Sequence, residues 1–184
     1  MGLQNVKSEG SGVFAIRGNL DGDDRQEFVE REQFIGLKIA DDLFYLSISE
    51  IKEIIMLQPI TFVPGVVEFV EGVINLRGTI IPAINLRKMM NLPRGQVTPY
   101  TRIVIITYEG TQVGLLVDMI TYVVALLPSE IEERAISSKV VGADLISRIA
   151  TREQDIIGIL DLGKIMALLK SHTTSGDDDD EEED

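Results

Sequence analysis

Covalent chemistry needs a nucleophile beside a base, a ligand cluster or a phosphate cradle, and this chain offers few candidates. Its one histidine, His172, lies in the polar stretch SHTTSGDDDDEEED, so no core imidazole is expected as general base or metal ligand. The absence of cysteine removes thiolate chemistry and disulfides and suits a reducing compartment. No Gly-x-x-x-x-Gly-Lys-Ser/Thr phosphate loop, Gly-x-Gly-x-x-Gly turn or Gly-x-Ser-x-Gly elbow is present. Only carboxylates remain. Asp41-Asp42 and Glu132-Glu133 read as solvated charges, but Asp118, Asp144 or Asp161 could converge in space as the acid pair of a small hydrolase. That reading stands as the catalytic alternative, with no motif behind it.

Residues that could bind rather than react are easier to find. Arg77 follows an apolar run and precedes Gly78, which places its guanidinium on a tight turn, held outward. Gly72 and Gly78 bracket the strand-like VINLR, where glycine permits a tight turn or close backbone approach. Glu53 sits in SEIKEII between Ile51 and Ile54. Pro64-Gly65 suggests a constrained loop. The plain alternative for Glu53 and Arg77 is an ordinary surface charge.

The elements that must carry these residues read as strands. Phe34–Ala40 and Leu43–Ile48 flank Asp41-Asp42; Val73–Leu76 and Thr79–Ile84 flank Arg77-Gly78; Arg102–Tyr108 and Gln112–Val117 flank Glu109-Gly110; Ile146–Thr151 and Asp155–Leu160 flank Arg152-Glu153-Gln154. Short Ile/Val-rich runs with Gly and charged turns point to barrels or sandwiches rather than a parallel sheet with crossover helices. Two helices are expected, after the N-cap residues Asn85 and Asp161. The second, about Leu162–Lys170, has apolar residues at helical spacing and reads as core.

The chain also repeats itself. Phe34–Ile55 aligns without a gap on Ile103–Val124, so that Ile51 falls on Ile120 and Ile54 on Val123; Pro59 falls on Pro128. With a small insertion, Ile80–Met90 aligns on Ile156–Met166, matching Asn85 with Asp161 and Lys88 with Lys164. Copies of roughly 65–70 residues are near the lower limit for an independent core, so each is expected to pack on the other.

Charge is uneven. The net charge of −13 is concentrated in the first 32 residues and in the eight acidic residues Asp177–Asp184, leaving a body of −2. Without a basic footprint, nucleic-acid binding is not expected, and with aromatics at 5% neither is a base-stacking platform. Hydrophobic residues at 45% are enough for a core. No signal peptide or membrane-spanning stretch is read, so a cytoplasmic location without membrane insertion is expected. The expected organisation is a disordered extension over 1–30, a body over 31–171 with copies at about 33–95 and 100–170, and a disordered acidic tail over 172–184.

The stretch GVINLRGTIIPAINLR (Gly72–Arg87) resembles the hallmark of the CheW family, Gly-Val-x-Asn-Leu-Arg-Gly followed by Ile-x-Pro and an Asp-Leu-Arg ending. VGLLVDMITYVV (Val113–Val124), YLSISEIKEII (Tyr45–Ile55) and DIIGILDLGKIM (Asp155–Met166) resemble further family segments, in the right order, so that the likeness covers about residues 33–170. Asn85 departs from the family's usual Asp. The resemblance implies a mainly β fold of two tandem SH3-like five-stranded β-barrels with short helices, including a C-terminal one, and a hydrophobic interface between the barrels. It implies a non-catalytic adaptor, without cofactor or metal, between chemoreceptor cytoplasmic helical tips and the regulatory domain of a CheA-type histidine kinase. An adaptor of a non-chemotaxis two-component pathway is the nearest alternative. By similarity, Glu53, Ile54, Arg77 and Gly78 would face the kinase, and Ile48, Ile51, Ile103, Val113 and Gly114 the receptor groove.

Overall fold

The tight turns read in the sequence are built as type I′-like corners, and they set the strand pairing. Arg77 and Gly78 have φ of 51° and 87°, and Glu109 and Gly110 have φ of 48° and 81°, the positive values that match the twist of a two-residue hairpin. The computed structural model describes residues 30–133, 141–152 and 155–173. It is mainly β, as expected. The strands are β1 (Glu32–Ile39), β2 (Asp42–Ser47), β3 (Ile51–Met56), β4 (Val70–Leu76), β5 (Thr79–Asn85), β6 (Arg102–Tyr108), β7 (Thr111–Val117), β8 (Met119–Leu126), β9 (Ile131–Glu133), β10 (Ile146–Arg152) and β11 (Asp155–Leu160). Two helices, α1 (Leu86–Met89) and α2 (Leu162–Thr173), follow their expected caps.

Two sheets form, in the orders β8-β1-β2-β11-β10-β9 and β3-β6-β7-β5-β4. Each combines strands of both sequence copies: hairpin β1-β2 joins the sheet of β10-β11, and hairpin β6-β7 joins the sheet of β4-β5. The stretches 33–95 and 100–170 are therefore repeats in sequence but not separate bodies in space. The five-strand expectation holds for one sheet, while the other gains the short β9. In the six-stranded sheet the two ends of the order, β8 and β9, are consecutive in the chain and joined by the 3-10 turn Pro128–Glu130, which rolls the sheet toward closure. The other sheet does the same with less: past β3, Thr61 bridges Val73 of β4, N to O at 2.8 and 2.9 Å.

This exchange explains why the hairpin strands are apolar on both faces. In β6, Ile103 and Ile105 enter a cluster with Ile74, Ile81 and Ala83 inside the five-stranded barrel. The alternate residues Val104 and Ile106 join a larger cluster with Leu37, Phe44, Leu46, Leu86, Leu115, Leu160, Leu162 and Ile165. That cluster draws on both sheets and both helices and is the interface between the barrels. Inside the six-stranded barrel, Phe34 stacks on Tyr45 with ring centroids 6.2 Å apart. Apolar runs without alternation are the mark of strands buried on both sides.

The helix caps carry the repeat to atomic detail. Asn85 Oδ1 accepts from the Lys88 N–H at 3.3 Å, and Asp161 Oδ1 from the Lys164 N–H at 3.1 Å. The matched lysines both reach back to a carbonyl, Lys88 Nζ to Glu68 O at 3.3 Å and Lys164 Nζ to Ile146 O at 2.6 Å. The expected extension (except Glu30) lies outside the described residues, as does the acidic tail, apart from the helical backbone of His172 and Thr173.

Candidate functional site

The Asn-Leu-Arg-Gly string builds a presented guanidinium. Asn75 Oδ1 accepts the Gly78 N–H at 2.8 Å, closing a local side-chain turn of the kind asparagine favours. Arg77 is thereby held in a left-handed conformation that leaves its side chain 77% exposed. The guanidinium returns toward β3, where Nη2 donates to Glu53 Oε2 at 2.8 Å and Nη1 to Oε1 at 3.3 Å. Such a fork geometry orients both groups.

The neighbouring motif residues serve this platform. Gly72 has φ of 140°, and a Cβ there would collide with the Thr61 carbonyl oxygen, so glycine admits the strand-closing bridge. Pro82 pairs with Val73, whose N–H and C=O are both turned to Thr61, so the missing proline N–H is not needed in the β4–β5 ladder.

Of the four residues that the resemblance assigns to the kinase face, Glu53 and Arg77 meet directly, beside the turn that Gly78 closes. Ile54 is exposed, as are Met56 at the end of β3, Phe62 beyond it and Ile80 just after the turn. The last three were not singled out in the sequence, where isolated apolar residues read as core. A matching group stands on the other barrel: Tyr122, Val123 and Ile156 are exposed, and Arg152 lies over the Tyr122 ring at 6.0 Å. The repeat aligns Glu53 with Tyr122, Ile54 with Val123 and Ile80 with Ile156, so internal alignment was the signal that could have found this second patch. Beneath it, burial and the Tyr122 hydroxyl, 3.3 Å away, push the Tyr45 phenol up to about 12.

The five residues expected at the receptor groove divide. Ile48 and Ile51 are partly buried against the inter-barrel cluster, at the passage from β2 to β3. Ile103 and Val113 have no exposed surface. Gly114 is buried too, where a Cβ would come within 2.7 Å of Ile103 Cγ2. These three cannot offer contact area as placed here; they shape the barrel wall, because a residue flanked by packing on both faces of its sheet has no outward side.

Two of the three carboxylates considered for chemistry, Asp118 and Asp161, are engaged structurally. Asp118 takes Arg87 Nε at 2.9 and 2.7 Å on its two oxygens and the Ala40 N–H at 2.6 Å, and Asp161 caps α2. Asp144 sits in the 3-10 turn Ala143–Leu145. Among the described residues no group of three or more His, Cys, Asp or Glu is placed to hold a metal, and no helix is long and apolar enough to cross a membrane.

Comparison with known proteins places this architecture. The family model described as the CheW-like domain matches residues 33–170. The chemotaxis protein CheW of Bacillus subtilis is 35% identical over 135 residues, spanning 73% of this chain and 86% of the relative. That of Treponema pallidum is 26% identical over 142 residues, spanning 75% and 84%. Among solved structures, the scaffolding protein TtCheW of Thermoanaerobacter tengcongensis superposes with a TM-score of 0.67 at 29% identity, covering 71% of this chain and 89% of that one.

Proposed function

The chain belongs to the CheW-like family, the coupling scaffolds of chemotaxis, and from that premise we propose that it is a non-catalytic cytoplasmic bridge between chemoreceptor helical tips and the regulatory domain of a CheA-type histidine kinase. The observation that carries the kinase side is the Asn75-held turn, which fixes Arg77 outward against Glu53 beside exposed Ile54 and Ile80. A fixed charge with an apolar surround is the composition of an interface hot spot. The receptor side is assigned to the passage bearing Ile48 and Ile51, at the seam between the barrels.

A bridge acts by raising the effective concentration of one partner near the other. It transmits a signal only if its binding differs between receptor states. The engaged state of Asp118 and Asp161 favours this reading over a carboxylate hydrolase. The test is a pull-down with the CheA-type kinase and a receptor cytoplasmic tip of the same genome. Capture of both, with loss of the kinase alone on Arg77→Glu, supports the proposal; capture of neither removes it.

A further inference from the structure

Two passages of the chain cross from one barrel to the other after a hairpin, and they are not alike. After β2 the chain passes through the 3-10 turn Ile48–Glu50 into β3 of the other sheet; after β7 it passes through Asp118 into β8. The repeat aligns Ser49 with Asp118, and Arg87 with Gly163. At one crossing a carboxylate meets a guanidinium; at the other the matched positions hold a hydroxyl and no side chain.

The Asp118 contacts reach both barrels. Its carboxylate accepts from the backbone N–H of Ala40, in the β1–β2 turn of the six-stranded sheet, and from Arg87 Nε at the start of α1, which follows β5 of the other sheet. Its own N–H donates to Lys38 O at 3.1 Å. Arg87 is braced in turn, with Nη1 donating to Pro93 O at 3.2 Å. Both side chains are about a quarter exposed, 22% and 26%, so water screens the pair only in part. Ser49, by contrast, bonds within its own turn, hydroxyl to hydroxyl with Ser47 at 2.8 Å.

The apolar cluster between the barrels holds them together, but hydrophobic contact is non-directional. Hydrogen bonds with defined angles are needed to fix one orientation. We infer that Arg87 and Asp118 form a clamp that sets the angle between the two barrels, the other charged link between them among the described residues, Lys170 of α2 to Glu109 in the β6–β7 turn, being far more exposed; the opposite crossing, with Ile48 and Ile51, is the side where that angle can change. They are positioning residues, and the inference does not depend on which partners bind.

Pulsed electron spin resonance tests it on the full chain. With no native cysteine, spin labels can be placed at Thr111→Cys on β7 and Glu132→Cys on β9, both exposed and on different sheets. The clamp predicts a narrow distance distribution in the parent that broadens at least twofold in Asp118→Asn and in Arg87→Ala, with the double variant no broader than either single one. Gly72→Ala, destabilised within one barrel, should keep the narrow distribution. Should Asp118→Asn not fold, Arg87→Lys, which keeps the charge and loses the Nε donor, is read in the same way. An unchanged width in the folded clamp variants, or equal broadening in Gly72→Ala, would overturn the inference.

Discussion

Arg77 and Glu53 stand 24 residues apart in sequence, yet their side chains meet through two hydrogen bonds across one side of the five-stranded barrel. Each was expected to face the partner; in the free protein they face each other. The pair orients the guanidinium while leaving most of it open to solvent. An exposed ion pair contributes little to stability, about 0–1 kcal/mol.

Removing that pair therefore separates folding from binding. Arg77→Ala should shift unfolding free energy by about 0.5 kcal/mol or less. Arg77→Glu should fold normally and weaken kinase binding by about 2–5 kcal/mol, the cost of leaving a desolvated partner charge unmatched. The swap Glu53→Arg with Arg77→Glu restores the internal pair but should not restore the kinase. Calorimetry on the purified proteins reads all three; binding rescued by the swap would make the internal pair, rather than contact with the kinase, the reason Arg77 matters.

Gly72 tests the closure of the five-stranded barrel. Its φ of 140° and the Thr61 carbonyl beside it leave no room for a Cβ. Gly72→Ala should cost at least about 1–3 kcal/mol through backbone strain and loss of the Thr61–Val73 bridge. Chemical denaturation measures it, and a cost under 0.5 kcal/mol, the scale of ordinary surface changes, would mean that the bridge closes nothing.

Asn85 departs from the family's usual Asp, and the structure gives a reason. Besides capping α1, it donates from Nδ2 to Glu71 Oε1 at 2.7 Å. Burial raises the Glu71 pKa, but hydrogen bonds from Asn85 and Lys88 outweigh it and leave the carboxyl below its ordinary value. Ionised Glu71 thus adds stability above its unfolded-state pKa, and that stability is lost as pH falls through the lower folded value. Asn85→Asp would set a second carboxylate against it. A loss of about 1–2 kcal/mol is expected at pH 7, shrinking as the pH drops below the carboxylate range. Thermal melts across pH check this, and a pH-independent loss would contradict it.

Glu50 behaves oppositely. Burial first, then the nearby Asp161, raise its pKa, while Arg148 works against them. The folded state binds this proton more readily than the unfolded chain, so ionised Glu50 costs stability above its folded pKa, and the cost fades as pH falls through that value. Glu50→Gln should therefore raise the melting temperature at pH 7 and lose its advantage in acid. A variant less stable than the parent at pH 7 would mean that the carboxylate has a partner worth more than its burial costs.

Hairpins, caps and repeat were legible in the sequence because each rests on local chemistry: Arg77-Gly78 and Glu109-Gly110 need positive φ, and Asn85 and Asp161 supply cap oxygens. The exchange of hairpins between sheets was not, since β1-β2 pairs as well with either copy's later strands and local pattern cannot choose. The same limit governed the site. Arg77 was read as a charge on a turn and Glu53 as a charge between apolar neighbours, whereas the full burial of Ile103 and Val113 was not legible, because the burial of a strand on both faces depends on which sheet covers it. The link between Arg87 and Asp118 is likewise a product of the crossing connection, which no spacing reveals.

As proposed, the chain couples two partners without doing chemistry. The most direct measurement is ATP-dependent autophosphorylation of the CheA-type kinase of the same genome, with its chemoreceptor in vesicles, titrated with this chain. Receptor control of the kinase is expected to appear only when the chain is added, to saturate with its concentration, and to be lost with Arg77→Glu. Full receptor control without the chain, or none at saturating chain, would contradict it.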